Sequence, residues 1–376
     1  MTISFIEHFN KIEDKRINRC KRHELLDIIF LSVVAVLSGA QGWEDIQDFG
    51  KLKLDWLRQF MPFSNGIPSH DTVRRVLNII ETEQFHSAFM LWINSTIQSI
   101  NGDIIAIDGK TARSSFKNKE GKNALHVVSA WSNCNQVVLG QQKVAGKSNE
   151  ITAIPTLLDL LDIANTIVTI DAMGCQKEIA KKITAKNADY VLALKGNQGN
   201  LQKEIEAWLH KAEREQFHDV IFDSKEDIDA GHGRIEIRRC LHAALDLDWI
   251  EGGAQWPNLR SIIQINSEVH EKDKITTETR YYISSLDVNA TEALSAVRAH
   301  WGVESMHWML DMTFREDESR IRMDNGPEIF NGLRKIALNM VKLDQTVKAS
   351  MKRKLKMAAL DDNYRKALIE QTIKMR

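Results

Sequence analysis

Two aspartates close apolar, β-branched runs in this sequence, Asp108 at the end of IIAID and Asp171 at the end of IVTID. Each is followed by a segment that turns or begins a helix, so both carboxylates are expected at the same kind of strand end, converging on one edge of a sheet. A carboxylate closing a buried strand is costly unless it is paired or holds a cation. Together the two predict a shared cation; either alone also reads as a cap for the helix that follows. The third element lies in VRAHWGVESMHWMLD, where His300, Glu304, His307 and Asp311 are spaced by four, three and four residues. That spacing puts them on one helical face. Val297, Val303, Met306 and Leu310 are left to pack elsewhere, and Trp301 and Trp308 flank the polar face.

Two imidazoles and a carboxylate suggest zinc. However, His300 and His307 are seven residues apart instead of in HExxH spacing, and the aspartate pair favours a hard, oxygen-liking ion. The expected centre is therefore Asp108, Asp171 and Glu304 around Mg²⁺ or Mn²⁺, with about two ions, which is the chemistry of phosphodiester hydrolysis and strand transfer. Asp311, then Glu316 and Asp317, are reserve candidates for the third acid.

Basic neighbours fit an anionic substrate. Lys110 and Arg113 follow Asp108 in DGKTAR, and Lys195 sits in LKGNQ just after a strand. Such cations hold phosphates or balance transition-state charge, with a plain surface cation as the alternative for each. Asn197 and Gln198 contact DNA or shape a turn. Upstream, IPSHDTVRRVLNII places Val73, Val76, Leu77 and Ile80 at helical spacing behind Ser69 as N-cap. Arg74, Arg75 and Asn78 then face outward, as a DNA-reading helix or as an ordinary surface helix. In GRIEIRR the alternation sets Arg234, Glu236 and Arg238 on one strand face, which meets a DNA backbone or is simply solvated.

These side chains need a scaffold. At 376 residues the chain exceeds the roughly 250–300 at which single cores stop growing. Residues 1–98 read as a helical N-terminal domain. From residue 99 to 198, DIIAID, HVVSAW and QVVLGQQKV read as an antiparallel meander, followed by helix, strand, helix and strand through EITAIPTLLDLLDIA, NTIVTID, CQKEIAKKITAKNA and DYVLALK. This is the order of an RNase H-like mixed sheet. Residues 199–276, with a charged helix and the strands GRIEIRRCLHAA and LRSIIQINSEV, form a β-rich insertion; 277–330 returns to the core with the Glu304 helix. The fold class expected is α/β with α+β elements.

The net charge of −1 gives no global nucleic-acid signature, but residues 331–376 carry twelve Lys/Arg against four Asp/Glu. A basic helical tail is expected there, contacting phosphate or solvated. Four scattered cysteines with no CxxC pair indicate neither a zinc site nor a disulfide framework. The apolar stretch 25–40 contains Asp27 and is shorter than the ~20 residues a span needs, so it reads as a buried helix. No secretory signal is apparent at the start. A cytoplasmic protein is expected, with no membrane partner.

The blocks IAIDGKTAR, KSNEITAIPTLL, TIDAMGCQKEIA, DYVLALKGNQGNL, RYYISSL and HWGVESMHWMLDMTFREDESRIR closely resemble the H-repeat-associated insertion-sequence transposases of DDE type, in the same order and through nearly the whole chain. The resemblance implies an RNase H-like core with a β-rich insertion before the last acid. It also implies Asp108, Asp171 and Glu304 as the three acids, double-stranded DNA (transposon ends and target) as partner, and a bacterial, nucleoid-associated setting; two cleaved ends held together make a homodimer in the synaptic complex mechanically sensible. Related elements carry a Tyr, Arg, Glu, Lys signature around the last acid. Here His300 stands four residues before Glu304 and Asp311 seven after, so His300 or His307 substitutes, or the cations come from elsewhere. A nuclease that does not join ends and a non-mobile DNA-binding relic are the competing readings.

Overall fold

The computed structural model describes residues 5–115, 124–145, 149–231, 233–272 and 274–373. Lys147 and Ser148 of the KSNEITAIPTLL block, the side chain of Cys20 and residues 374–376 of the basic C-terminal segment lie outside the described residues.

The chain opens with five helices, α1 (Phe5–Phe9), α2 (Leu25–Leu37), α3 (Trp43–Leu57), α4 (His70–Ile79) and α5 (Thr82–Thr96). Twelve of the thirteen residues of α2 are buried, so the apolar 25–40 stretch is the centre of this helical module. Among the described residues no helix is long and apolar enough to cross a membrane. In α4 the Ser69 hydroxyl accepts from the Thr72 amide, and Val73, Val76 and Leu77 are buried as their spacing requires. Asn78 departs from the outward position expected of it: it is buried, because the turn before a later helix packs onto it and the Asn325 amide donates to its carbonyl.

Strands β1 (Ile104–Ala112), β2 (Leu125–Ser132) and β3 (Val137–Lys143) form the expected antiparallel meander. After α6 (Glu150–Leu160), β4 (Ile167–Ile170) pairs parallel with β1. After α7 (Lys177–Ala185), β5 (Asp189–Leu194) pairs parallel with β4. Helix α8 (Gly199–Arg214) leads to four long antiparallel strands, β6 (Phe222–Gly231), β7 (Arg234–Ala244), β8 (Ser261–Glu271) and β9 (Lys274–Ser284). Because β9 pairs with β5, the insertion extends the core sheet, giving one nine-stranded order β3-β2-β1-β4-β5-β9-β8-β7-β6. The boundary expected at residue 276 falls inside β9.

Helix α9 (Ala290–Met312) lies across this sheet, its start capped by the Asn289 side chain on the Glu292 amide. Its first half packs Ala293, Leu294 and Val297 on Ile263, Ile265 and Tyr282 of the extension. Val303, Met306 and Leu310 reach the main core. A Cβ at Gly302 would come 2.8 Å from the Trp131 indole nitrogen, so glycine lets α9 sit close on β2.

The remaining helices are α10 (Gly326–Leu343), α11 (Met351–Leu360) and α12 (Asp362–Ile373). Helix α11 keeps Lys352, Arg353 and Lys356 exposed, as a basic helical segment would, whereas α10 departs from that expectation. Helix α10 is buried almost end to end and joins the helical module to the sheet in a single apolar core. Four of its segment's cations, Arg334, Lys335, Lys354 and Arg365, are themselves buried. Lys335 donates to Ser129 Oγ (2.7 Å) and Gln141 Oε1 (2.6 Å), and burial pushes its ammonium down to about 7. Local charge counting could not show this, because the partners lie about 200 residues away in the sheet.

Candidate active site

Parallel register brings the two aspartates together. Ile107 of β1 is opposite Ile170 of β4, so Asp108 and Asp171 are the next residue on each strand. The two strands then behave differently. β4 stops, whereas β1 continues to Ala112 because Asp108 keeps its antiparallel partner Ser129 on β2. Asp108 is thus not a strand end, as its apolar run suggested; it is a mid-strand residue whose neighbour on one side has ended. Asp171 also fulfils the capping alternative, accepting from the Met173 and Gly174 amides at 3.1 and 3.3 Å. Burial pushes its carboxyl up, and Asp108 and Glu150 push the same way against the Gly174 hydrogen bond.

Helix α9 delivers the third group. His300 Nδ1 lies 3.1 Å from Thr169 Oγ1 of β4, and burial holds this imidazole below its ordinary value. His307 Nδ1 lies 3.4 Å from Asp108 Oδ2. Between them, Glu304 opens toward solvent. Partial desolvation and then Asp108 raise its carboxyl, opposed by Arg280, His307 and Lys195. Each of these shifts on Asp171 and Glu304 records the field of Asp108, which is what a shared anionic centre does. A cleft of about 180 Å³ runs past Asp171, Lys195, Arg280, His300, Trp301 and Glu304.

Three carboxylates are hard oxygen donors suited to Mg²⁺ or Mn²⁺, and their mutual repulsion is relieved by a cation. Among the described residues, no three His, Cys, Asp or Glu side chains stand close enough to form a ready-made cage. The donor chemistry fits; the geometry is open.

The comparison with known proteins agrees with this architecture. Residues 100–340 match the family described as transposase DDE domain, and residues 6–93 match the DDE_Tnp_1-associated domain. The chain is 43% identical over 366 residues to "H repeat-associated putative transposase YhhI" of Escherichia coli K12, covering 96% of each chain. The chain belongs to the DDE transposase family. It is also 43% identical over 370 residues to "Putative transposase YncI" of Escherichia coli O157:H7, covering 96% of this chain and 93% of that one. The piggyBac transposase in a synaptic complex with hairpin DNA aligns with 96% of this chain and 77% of its own at a TM-score of 0.46 and 13% identity, a likeness too distant to bear on the site.

In this member of the family the surrounding cations are placed unevenly. Lys110 is committed within the protein: its ammonium bonds Asp311 and Glu316 and lies 3.9 Å from Asp317. Glu316 is buried, and the resulting upward push on its carboxyl is outweighed by Lys110, Lys335 and Arg334, which leave it lowered. The reserve acids Asp311, Glu316 and Asp317 thus gather on Lys110. Asp317 also takes the Arg113 guanidinium at 3.5 Å and its amide at 3.1 Å. Asn197 donates to the Ala172 carbonyl and Gln198 to that of Cys175, tying the turn after β5 to the Asp171 segment. Arg234 and Arg238 both pair with Glu236, at 2.9 and 2.7 Å. Their face is therefore partly neutralised, although it lines a groove of about 720 Å³ that shares Arg280 and Trp301 with the cleft. Arg74 pairs with Asp71 at 2.8 Å, and Arg75 is exposed.

Two neighbours of the acids were not singled out from sequence. Arg280 stands in RYYISSL and, with Lys195, supplies positive charge facing Glu304. Its guanidinium lies 5.6 Å from the centre of the half-exposed Trp301 ring. Glu150 is buried, takes His126 Nε2 at 2.8 Å and packs on Gly109, where a Cβ would come 2.0 Å from its Oε1. Their motif membership was the available signal. Their proximity to the acids depends on the sheet order.

Proposed function

We propose that this chain is a DNA transposase in which Asp108, Asp171 and Glu304 hold divalent metal, Mg²⁺ or Mn²⁺, for DNA strand cleavage and joining of the 3′-hydroxyl to a target. The observation that carries the reading is the β1–β4 register, which makes Asp108 and Asp171 neighbours under the helix that brings Glu304. When bound, about two such ions supply activation of the attacking oxygen and charge relief at the leaving oxygen. Asp108 and Asp171 hold their side of the centre from rigid strands, and Glu304 holds the other from α9. His307 beside Asp108 and His300 on Thr169 fix the face of α9 against the sheet. Lys195 and Arg280, as cations lining the cleft, orient the phosphate and balance its developing charge. Trp301 offers an aromatic face at the cleft mouth. Arg74, Arg75, Arg234 and Arg238 contact the DNA backbone away from the scissile bond, and Asn197 shapes the turn that presents Lys195. Double-stranded DNA, as element ends and target, is the partner. Two ends held together make a homodimer the working form, on the bacterial nucleoid.

The test uses labelled duplexes ending in the terminal repeats that flank the gene, a target plasmid, and Mg²⁺ or EDTA. Wild type is expected to produce joined product only with metal. Asp108→Asn, Asp171→Asn and Glu304→Gln each abolish cleavage while retaining fold and DNA binding. Metal-dependent cutting without any joined product sinks the transposase reading in favour of a nuclease. Full cleavage by any one variant removes that residue from the site.

A further inference from the structure

In the loop between α1 and α2, the side chain of Arg16 is only 7% exposed. Its Nε and Nη2 donate to the two oxygens of Asp14 at 2.9 and 2.7 Å, and Nη2 also donates to the His23 carbonyl at 2.8 Å. Its Nη1 is buried and has no hydrogen-bond partner. A buried cationic donor carries a penalty unless a water or a ligand accepts from it. Arg16 lines a cavity of about 800 Å³ whose walls also include Arg22, Arg74 and Arg75.

Charge and shape narrow the ligand. Four arginines face the cavity against Asp324 on its wall, with Asp14 and Asp71 each neutralising one arginine from behind. One positive charge is left over, which a single phosphodiester matches. The volume exceeds what a lone phosphate needs and falls in the range of small-ligand sites. The rest of the wall is mixed: polar groups such as Asn65, Ser69 and Thr72 alternate with apolar ones, of which Ile17, Ile79 and Met323 are exposed at 57%, 44% and 45%. An anion attached to a body with both polar and apolar surface fits both halves. Met323 and Asp324 come from the segment joining α9 to α10, so the cavity spans the helical module and the chain leaving the Glu304 helix.

The geometry points to a nucleotide-sized pocket in the helical module that clamps one nucleotide of the bound DNA strand, its phosphate on Arg22 and Arg75 beside the buried charge of Arg16, and its sugar and base on Ile17, Ile79 and Met323. This rests on the DNA-binding reading above and adds Arg22 to the contact surface, with Arg16 charging the wall behind it. Because the pocket also touches the segment after α9, the occupant bridges end recognition and the catalytic helix.

The test measures binding of a 30-bp duplex carrying the element's end, scanned with single methylphosphonate linkages, to wild type and to Arg22→Gln/Arg75→Gln. Both altered residues are exposed, and an unchanged melting temperature confirms the fold. The variant is expected to bind about tenfold more weakly, as for losing a charge-assisted hydrogen bond. Its salt dependence should fall by about one unit of slope per phosphate contact removed. One methylphosphonate position should weaken wild type but cost the variant nothing further. Variant binding equal to wild type, or losses that simply add at every position, overturns the pocket while leaving DNA binding by other surfaces intact. Equal competition by free dTMP and duplex also overturns it, in favour of a mononucleotide site. A wild type that binds no DNA overturns both the pocket and the reading on which it rests.

Discussion

Replacing Lys110 by methionine keeps most of the side-chain volume and removes the ammonium that bonds Asp311 and Glu316. The Lys110 side chain is 13% exposed and that of Glu316 2%, so the substitution leaves a buried carboxylate without its nearest counter-charge. Breaking a buried pair from one side costs about 3–5 kcal/mol. Lys335 and Arg334 still favour the Glu316 carboxylate, which places the expected loss near the lower end, about 3 kcal/mol. At roughly 2 °C per kcal/mol for a chain of this size, the thermal midpoint should fall by about 6 °C, read by calorimetry or circular dichroism. Adding Glu316→Gln should recover at least half of the fall, because the orphaned charge disappears. A midpoint within about 1 °C of wild type, accompanied by loss of DNA cleavage, would falsify this account. Lys110 would then be a substrate-phosphate ligand, as its place after Asp108 first suggested.

Gly109→Ala puts a Cβ 2.0 Å from Glu150 Oε1 and should displace that side chain from His126, costing about 1–3 kcal/mol and impairing cleavage; adding Glu150→Ala should restore the melting temperature, and no change in the single variant refutes the packing. Arg280→Gln removes a cation facing Glu304 and should lower the cleavage rate by about 10²–10³ with little change in melting; unaltered rates remove Arg280 from the site. At Asp344, burial raises the carboxyl, but bonds from Thr346, Tyr364 and Lys354 outweigh it and leave it lowered. The stabilisation is therefore complete above the unfolded carboxylate value of about 3.9 and is lost as pH falls through the lower folded value. Asp344→Asn should be less stable than wild type at neutral pH by urea titration, with the gap closing only at acid pH; a pH-independent gap contradicts it.

Legibility from sequence followed the range of the interaction. The strands through Ile104–Ile107 and Ile167–Ile170 announced themselves because both faces are buried and the residues are β-branched. By contrast, β6 reads FDSKEDIDAG, and the first half of β9 reads KITTET. Both are largely exposed, so no apolar alternation marks them; only pairing with β7 and β8 makes them strands. The same limit applies to charge. Local counting suggested solvated cations where Lys335 and Lys354 are buried, and helical spacing suggested an outward Asn78 where the chain before α10 covers it.

The residue types and their helical or strand periods by themselves determined that two aspartates follow buried apolar runs, that Glu304 shares a face with His300, His307 and Asp311, and that Arg74 and Arg75 flank an apolar helix stripe. Those are short-range facts, set by backbone geometry within one element. Tertiary structure alone decided that Ile107 faces Ile170, so that Asp108 meets Asp171, and that β1 runs on past its aspartate while β4 stops. It also decided that Lys110 neutralises buried Glu316, and that Arg280 and Lys195 face Glu304. Each of these depends on strand order and helix placement across up to about 200 residues of chain, where Coulomb and packing terms act between groups whose separation no sequence spacing encodes.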